Sequence, residues 1–193
     1  MVSDIKRLFL SIPIDTNHKQ LCINFINSQI PSDIRWIKEE NWHVTSIFIG
    51  DFPAHLLQNL NNHLTTYFKT QPFFSLEFDT FLYIPNKSRP RMIWGQFYKN
   101  QNFDSLLKGS LKSLKEFYKQ ENLDFEIKLH KDSIPHITLC RIKKHHYVQS
   151  ELNLDFSNDL SLTLEVKYCQ LYESVLKPQG AEYTMLKEFE LLK

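Results

Sequence analysis

The sequence lacks the long apolar run that a membrane-spanning helix requires. Such a helix needs about 20 consecutive apolar residues, but the first apolar stretch is soon interrupted by Pro13 and Asp15. The N-terminus also lacks the extended apolar region and the small-residue cleavage site of a signal peptide. We therefore expect a cytoplasmic protein with no membrane partner.

Cysteine is also scarce. The chain has three cysteines, Cys22, Cys140 and Cys169, and none of them forms a CxxC pair. An odd number leaves at least one thiol unpaired, which favours a reducing compartment over a secreted disulfide framework. We expect all three to be free thiols in the core.

A strong net charge is absent, since the formal charge is only +1. The distribution is nevertheless uneven: the net charge is −2 over residues 1–85, +7 over 86–144 and −4 over 145–193. A protein that clamps a long duplex usually needs a broad basic face. Positive charge confined to one segment indicates instead a small anionic group or the end of a nucleic acid.

What the chain does contain is enough apolar sequence for a sizeable core, 42% of 193 residues, without a linker or a low-complexity segment. We predict one domain over residues 1–193, of the α+β class. Two antiparallel sheets would line a central cleft, with helices outside and a pseudo-twofold duplication. Apolar periodicity predicts strands over 7–14, 34–37, 43–49, 73–83, 91–98, 125–129, 136–142, 162–172 and 183–191, and helices over about 16–30, 53–68 and 103–120.

Two of these strands carry the same short motif, His-x-Thr. It occurs at His43 and Thr45 and again at His136 and Thr138, within apolar, β-branched runs. Residues i and i+2 of a strand point to the same face, so each motif presents an imidazole beside a hydroxyl. One such motif is uninformative, whereas two in matching positions of a duplicated chain predict a shared site.

Two facing pairs would suit a phosphate. One histidine can take a proton while the other gives one, since their ordinary pKa lies near neutral pH, and the threonine hydroxyls can hold phosphate oxygens. The residues beside the motifs are Val, Ile, Pro and Trp rather than Asp, Glu or Cys, so we predict no metal and no cofactor.

The chain resembles the 2H phosphoesterase superfamily, and within it the bacterial and archaeal RNA 2′,3′-cyclic phosphodiesterases, historically called 2′-5′ RNA ligases. The similarity runs nearly end to end. Its segments are RLFLSI at 7–12, RW at 35–36, ENWHVT at 40–45, FIG at 48–50, RPRMIW at 89–94, PHITLCR at 135–141, and LYES at 171–174 followed by Tyr183.

This resemblance implies a bilobal fold and metal-free opening of a ribose 2′,3′-cyclic phosphate to a 2′-phosphomonoester. It assigns His43 as the proton donor and His136 as the proton acceptor on water. Thr45 and Thr138 would bind the phosphate, with Arg141 as an additional cationic contact or, alternatively, only a surface ion pair. RNA ends or small nucleotides would be the partners, with no obligate protein partner, and we expect a monomer.

Ser46 and Cys140 depart from the family pattern, which bears on substrate fit more than on chemistry. Trp42 and Trp94 could stack a base or belong to the core. His145 and His146 could assist phosphate binding, although a surface position is the simpler interpretation for all six histidines outside the motifs.

Several alternatives share the same motifs. They are 2′-5′ phosphodiesterase activity, 2′-5′ RNA ligase activity, a non-catalytic nucleotide-binding module, and a structural protein whose two pairs are satisfied core groups. Intact histidines at both motifs favour an enzyme over the binding module, since binding alone would tolerate Asn or Gln. Two buried histidines without carboxylates nearby would also be a costly way to build a core.

Overall fold

A computed structural model of the chain describes residues 4–28, 36–124, 126–127, 133–142, 162–178 and 180–193. Eleven helices and strands make up this part of the chain. They are β1 (Ile5–Pro13), α1 (Thr16–Ser28), β2 (His43–Pro53), α2 (Leu57–Phe68), β3 (Phe74–Ile84), β4 (Met92–Phe97), α3 (Gln101–Gln120), β5 (His136–Arg141), β6 (Thr163–Val166), β7 (Tyr168–Lys177) and β8 (Gly180–Glu190). Short 3₁₀ turns at Glu39–Asn41 and Ala54–Leu56 precede β2 and α2.

The eight strands form one curled sheet in the order β6-β3-β4-β5-β2-β1-β7-β8, and neighbouring strands are antiparallel. The predicted α+β class is confirmed, but the two predicted sheets are hydrogen-bonded into one. The junction is narrow, because β2 and β5 share a single registered pair, Val44 with Ile137. Each side of this junction is a four-stranded half whose innermost strand carries one His-x-Thr motif.

The helices cover one face of the sheet. On one half, the Phe25 ring of α1 stacks on Phe81 of β3, with 4.0 Å between ring centroids. On the other half, Phe117 of α3 lies 6.1 Å from Phe52 of β2, and Phe68 of α2 lies 5.1 Å from Phe189 of β8. The core lies between this face and the helices, and the opposite face at the junction is left for the cleft.

Local signals set where two helices begin. Asp15 accepts a hydrogen bond from the backbone N–H of His18 at 2.8 Å, and so caps α1. The Asn100 side chain accepts from the N–H groups of Asn102 and Phe103, both at 3.0 Å, and so caps α3. These caps satisfy donors that the first turn of a helix leaves unpaired.

Several predicted strand boundaries are wrong. The hairpin strands are longer than predicted, since β7 extends to Lys177 and β8 begins at Gly180. The predicted strand over 162–172 is two strands, since the chain leaves the ladder at Lys167 between β6 and β7. β6 pairs with β3 at one end of the sheet, whereas β7 pairs with β1 near the other. Gly50 does not end β2 either, because the strand continues to Pro53.

The prediction that all other histidines lie at the surface is wrong for His18, whose side chain is fully buried with Nδ1 at 2.7 Å from Asp15 Oδ1. All three cysteines are buried free thiols, as predicted. Of the strand predicted over 34–37, only residues 36 and 37 are described, and Trp36 forms an isolated bridge with Cys140. Of the strand predicted over 125–129, only residues 126 and 127 are described, and His145 and His146 lie outside the described residues. Among the residues described, no helix is long and apolar enough to cross a membrane.

Candidate active site

The two motifs meet at the junction of β2 and β5. Val44 and Ile137 are directly opposite each other and fully buried, so they point into the core. Side chains alternate along a strand, and the flanking residues therefore point to the other face. The antiparallel register sets His43 across from Thr138, and sets Thr45 across from His136. The histidines thus occupy one diagonal of a rectangle, and the threonines occupy the other.

The His43 ring is held by two hydrogen bonds. Its Nδ1 lies 2.8 Å from the carbonyl oxygen of Asn41, which can only accept, so Nδ1 carries a proton. Its Nε2 lies 3.0 Å from Thr45 Oγ1, and in the neutral ring it accepts the hydroxyl proton. The proton-exchanging nitrogen of His43 is therefore Nε2, next to the threonine of its own motif.

The His136 ring is held in an equivalent way. Its Nδ1 donates to the carbonyl oxygen of Ile134 at 2.8 Å, which again leaves Nε2 as the proton-exchanging atom. The ring stacks on Trp94, with 3.5 Å between centroids and 13° between the planes. The same atom is therefore available on both histidines, and both rings are fixed by backbone carbonyls two residues upstream.

Burial makes both histidines less basic than usual. Desolvation lowers the pKa of His43 to about 4, against the opposing effect of the Asn41 carbonyl, and the positive charges of His136 and Arg141 lower it further. Desolvation and Arg141 also lower the pKa of His136, opposed by the Ile134 carbonyl. These shifts favour the neutral form of each ring near pH 7, and the negative charge of a bound anion would oppose them.

A cavity of about 930 Å³ opens beside the rectangle, which is the size range of small-molecule sites. His43, Thr45 and Thr138 line it, whereas His136, which lies across from Thr45 on β5, is not among the lining residues. The cavity extends from the junction toward β1 and the β7–β8 hairpin. Other residues in its wall include Arg7, Phe9, Lys38, Asn41, Phe48, Ser174, Glu182 and Tyr183.

Two arginines supply positive charge at this wall. Arg141 is exposed, lines the cavity, and places Nη1 3.7 Å from the sulfur of Met92. Arg7 of β1 is also exposed and lines the cavity. Within the described part of the chain neither has a carboxylate partner, so a surface ion pair does not account for Arg141 there. Sequence reasoning did not identify Arg7, because only the folded register brings β1 beside β2.

Aromatic rings lie beside His43, and the sequence alone did not predict these contacts. Phe9 lies 5.0 Å and Tyr183 5.5 Å from the His43 ring, centroid to centroid. Of the two tryptophans considered as base-stacking residues, Trp42 is buried and donates from Nε1 to the Ile37 carbonyl at 2.9 Å. Trp42 therefore belongs to the core, and Trp94 supports the His136 ring.

In the part of the chain that the structure describes, no cluster of three or more His, Cys, Asp or Glu side chains is arranged to hold a metal ion. The side chains that line the cleft include imidazole, hydroxyl, guanidinium and ammonium groups, together with the carboxylates of Glu40 and Glu182. The imidazoles, hydroxyls and cations among them are groups that bind an anion by hydrogen bonds and charge.

Comparison with known proteins gives concordant matches. Residues 17–94 match the family of LigT-like phosphoesterases. A Thermotoga maritima protein named RNA 2′,3′-cyclic phosphodiesterase is 27% identical over 186 residues, covering 94% of each chain. One of the same name from Methanocaldococcus jannaschii is 28% identical over 190 residues, covering 95% of this chain and 99% of the relative.

Solved structures match the fold over nearly its whole length. A Thermus thermophilus protein superposes with a TM-score of 0.78 at 23% identity, covering 96% of this chain and 97% of that one. Escherichia coli LigT complexed with 3′-AMP superposes with a TM-score of 0.70 at 22% identity, covering 98% and 100%. Both likenesses concern the architecture of the chain.

Proposed function

The chain belongs to the LigT-like phosphoesterases of the 2H superfamily, and we propose that it hydrolyses 2′,3′-cyclic phosphates of RNA or nucleotides to 2′-phosphomonoesters. The observation that carries this proposal is the rectangle at the β2–β5 junction, with histidines on one diagonal and threonines on the other. The names of the relatives from Thermotoga maritima and Methanocaldococcus jannaschii support it.

The diagonal placement suits an in-line displacement at phosphorus. In that reaction the attacking and leaving oxygens lie on opposite sides of the phosphorus atom. His136 Nε2 takes a proton from water as the water oxygen bonds to phosphorus. The bond from phosphorus to O3′ breaks, and His43 Nε2 gives its proton to O3′. The product retains the phosphate on O2′, and one water molecule is consumed.

The threonines and the arginine have a separate role in this proposal. Thr45 and Thr138, on the second diagonal, donate hydrogen bonds to the non-bridging oxygens where negative charge accumulates. Arg141 adds a cation at the edge of the cavity. The substrate's own negative charge raises the pKa of His43, which lets the ring hold the proton that it must donate.

The partners in this proposal are RNA ends or small nucleotides. The structure of E. coli LigT with 3′-AMP supports a nucleotide, and the cavity of about 930 Å³ has room for one. A cytoplasmic monomer without an obligate protein partner remains our prediction. Gel filtration at micromolar concentration checks the oligomeric state, and elution at twice the mass of 23.1 kDa would contradict it.

The test is to incubate the purified protein, with EDTA present, with an oligoribonucleotide ending in a 2′,3′-cyclic phosphate and to identify the product isomer. Wild type should form the 2′-phosphate. His43→Gln and His136→Gln should each lose activity by roughly 10²–10⁴-fold, the usual range of general acid–base catalysis. The control is His55→Gln, because His55 is exposed and lies outside the cavity wall.

The same assay separates the alternatives. Turnover of a 2′-5′ linked oligonucleotide, or joining of RNA ends, without cyclic-phosphate hydrolysis would favour the 2′-5′ phosphodiesterase or ligase. Nucleotide binding without turnover would favour the non-catalytic module. Full hydrolytic activity in both histidine variants would overturn the mechanism.

A further inference from the structure

The two motif histidines have different neighbours on the adjoining strands. The residue registered beside His43 on β1 is Pro13, whose side chain is apolar. The residue registered beside His136 on β4 is Gln96, whose amide can both donate and accept hydrogen bonds. Aromatic rings contact both histidines, so they do not distinguish the two sides. The amide gives His136 a polar neighbour that has no counterpart at this register position beside His43.

Gln96 and His136 lie on the same face of the sheet. Directly opposite residues of an antiparallel pair have Cβ atoms about 4.5–5.5 Å apart and project to the same side. The residues that flank Gln96 on β4, Gly95 and Phe97, are buried and point to the core, whereas Gln96 is half-buried and points to the cleft face. The amide of Gln96 is therefore close enough to share a water molecule with the His136 imidazole.

A carboxylate fixes the orientation of this amide. Gln96 Nε2 donates to Asp79 Oδ2 at 3.0 Å. A carboxylate oxygen only accepts, so the amide cannot be turned round, and Oε1 is presented as an acceptor. Asp79 is the extra residue of a β-bulge, because the residues on either side of it on β3 pair with two consecutive residues of β4. Bulges next to active sites commonly redirect a side chain in this way.

We propose that Gln96 holds the attacking water for His136, and that Asp79 is the positioning residue that orients Gln96. The water donates one hydrogen to His136 Nε2 and the other to Gln96 Oε1, which leaves a lone pair directed at phosphorus. As the water oxygen bonds to phosphorus and the bond to O3′ breaks, the first proton passes to His136. The second hydrogen remains on the product phosphate. This assignment rests on the proposed function and adds the residue that selects the nucleophile.

The arrangement distinguishes water from an alcohol. An alcohol has a single O–H hydrogen, which His136 must remove, so an attacking alcohol has none to donate to Gln96 Oε1. Gln96 therefore favours hydrolysis over transfer of the phosphate to an alcohol. The 5′-hydroxyl of a second RNA strand is such an alcohol, so the same contact disfavours 2′-5′ joining.

The kinetic test is Gln96→Met, which keeps the length of the side chain but removes both hydrogen-bonding atoms of the amide. With adenosine 2′,3′-cyclic phosphate, kcat for hydrolysis should fall about tenfold, the upper end of what one hydrogen bond contributes. KM and the Kd of adenosine 2′-monophosphate should stay near the wild-type values, because the contact is with water and not with the nucleotide. Gln58→Met, which changes an exposed glutamine of α2, is the control and should match wild type.

A competition between water and methanol separates a role in water binding from a merely structural one. Each protein is incubated with the same substrate in a fixed mixture of water and methanol, and the 2′-phosphate and its methyl ester are quantified by chromatography. The methyl-ester share should rise about tenfold in Gln96→Met. It should rise about twofold in Asp79→Asn, whose amide can pair with the Gln96 amide in either orientation.

The outcomes separate this inference from the proposed function. An equal methyl-ester share in wild type and Gln96→Met, including none in either, would overturn the assignment, as would hydrolysis by the variant at the wild-type rate. If circular dichroism shows that Gln96→Met does not fold, Asp79→Asn decides in its place, and an unchanged share there overturns the assignment. No turnover of the cyclic phosphate by wild type would instead refute the proposed function, and this inference with it.

Discussion

The hydrogen bond between Thr45 and His43 bears on the proposed reaction. Thr45 Oγ1 lies 3.0 Å from His43 Nε2 and donates to it in the neutral ring. In the mechanism proposed above, this hydroxyl would turn to a non-bridging phosphate oxygen when the substrate binds, and His43 Nε2 would then carry the proton for the leaving oxygen. We therefore expect Thr45 to stabilise the neutral histidine before binding and the phosphate after it.

Thr45→Val should lower kcat for cyclic-phosphate hydrolysis by roughly 10²-fold, because it removes one donor to the oxygens that gain charge. Thr45→Ser keeps the hydroxyl and should retain most of the activity. Steady-state kinetics of both variants provide the measurement. A valine variant as active as the serine variant would show that the hydroxyl does not contact the reacting phosphate.

The depressed pKa of His43 predicts how stability depends on pH. The folded value is about 4 and the ordinary value 6.5, so the unfolded chain binds more protons between these pH values. The stability that the folded protein owes to a neutral His43 is therefore fully present above about pH 6.5 and is lost as the pH falls toward 4. The free energy of unfolding in urea should therefore fall from pH 7 to pH 5, and should fall less in His43→Gln.

His55→Gln is the matched control, since His55 is exposed. Its free energy of unfolding should fall between pH 7 and pH 5 by the same amount as that of wild type. An identical pH dependence in wild type and His43→Gln would show that the His43 pKa is ordinary in the folded protein.

For single residues, the sequence correctly predicts which face of a strand a side chain occupies wherever side chains alternate without a bulge. The four motif residues were predicted correctly to share a face in pairs, because no bulge separates His43 from Thr45 or His136 from Thr138. The exposed position of Phe48 in the cavity wall could not be predicted in this way. Ser11 pairs with Thr45 and Leu10 with Ile47, so Ser46 is an extra residue that reverses the alternation along β2, and nothing in a single sequence marks it as unpaired.

Among the elements, strand β2 contains two β-bulges where it pairs with β1. The first is at Ser46, and the second is at Ile49, because Leu8 pairs with Gly50 while Phe9 pairs with Phe48. Gly50 follows it with φ of +83°, a conformation that residues with a Cβ rarely adopt. A glycine that resembled a strand stop is therefore the residue that lets the strand continue past a bulge.

Gly50→Ala should destabilise the fold by about 1–2 kcal/mol, the usual cost of the left-handed conformation for an ordinary residue. A Cβ placed there meets no atom within 4 Å, so the loss comes from the backbone alone. Gly50→Asn should lose less, because asparagine tolerates this conformation better. Urea unfolding of the three proteins is the measurement, and equal losses for alanine and asparagine would point to a cause other than the backbone angle.

The strand predicted over 162–172 shows that apolar–polar alternation does not identify the strand with which a segment pairs. Apolar and polar residues alternate along this segment, yet β6 and β7 pair with strands in opposite halves of the sheet. Alternation reports that a segment is half-buried, but not which strand it joins. For the same reason, the pattern could not distinguish two separate sheets from one sheet joined through a single registered pair.

Across the whole molecule, much of the basic charge lies away from the cleft. Four lysines of the basic segment 86–144 lie on α3, whose Phe117 packs on the core side of β2. The motif residues point to the other face. The four are Lys108, Lys112, Lys115 and Lys119. The positive charge of this segment is therefore only partly available to a ligand in the cavity.

This distribution predicts a weak dependence of substrate affinity on salt. If Arg7 and Arg141 neutralise about two phosphate charges, the logarithm of the binding constant should fall with the logarithm of salt with a slope of about −1.4, from roughly 0.7 per contact for single strands. A broad RNA-binding face with six contacts would give a slope of about −4.

Arg141→Gln should raise KM for a cyclic-phosphate oligonucleotide and reduce the magnitude of this salt slope by about 0.7. The control, Lys112→Gln with Lys115→Gln, removes exposed charges from α3 and should change neither quantity. A steep slope that the lysine variant abolishes would instead assign RNA binding to the helical face.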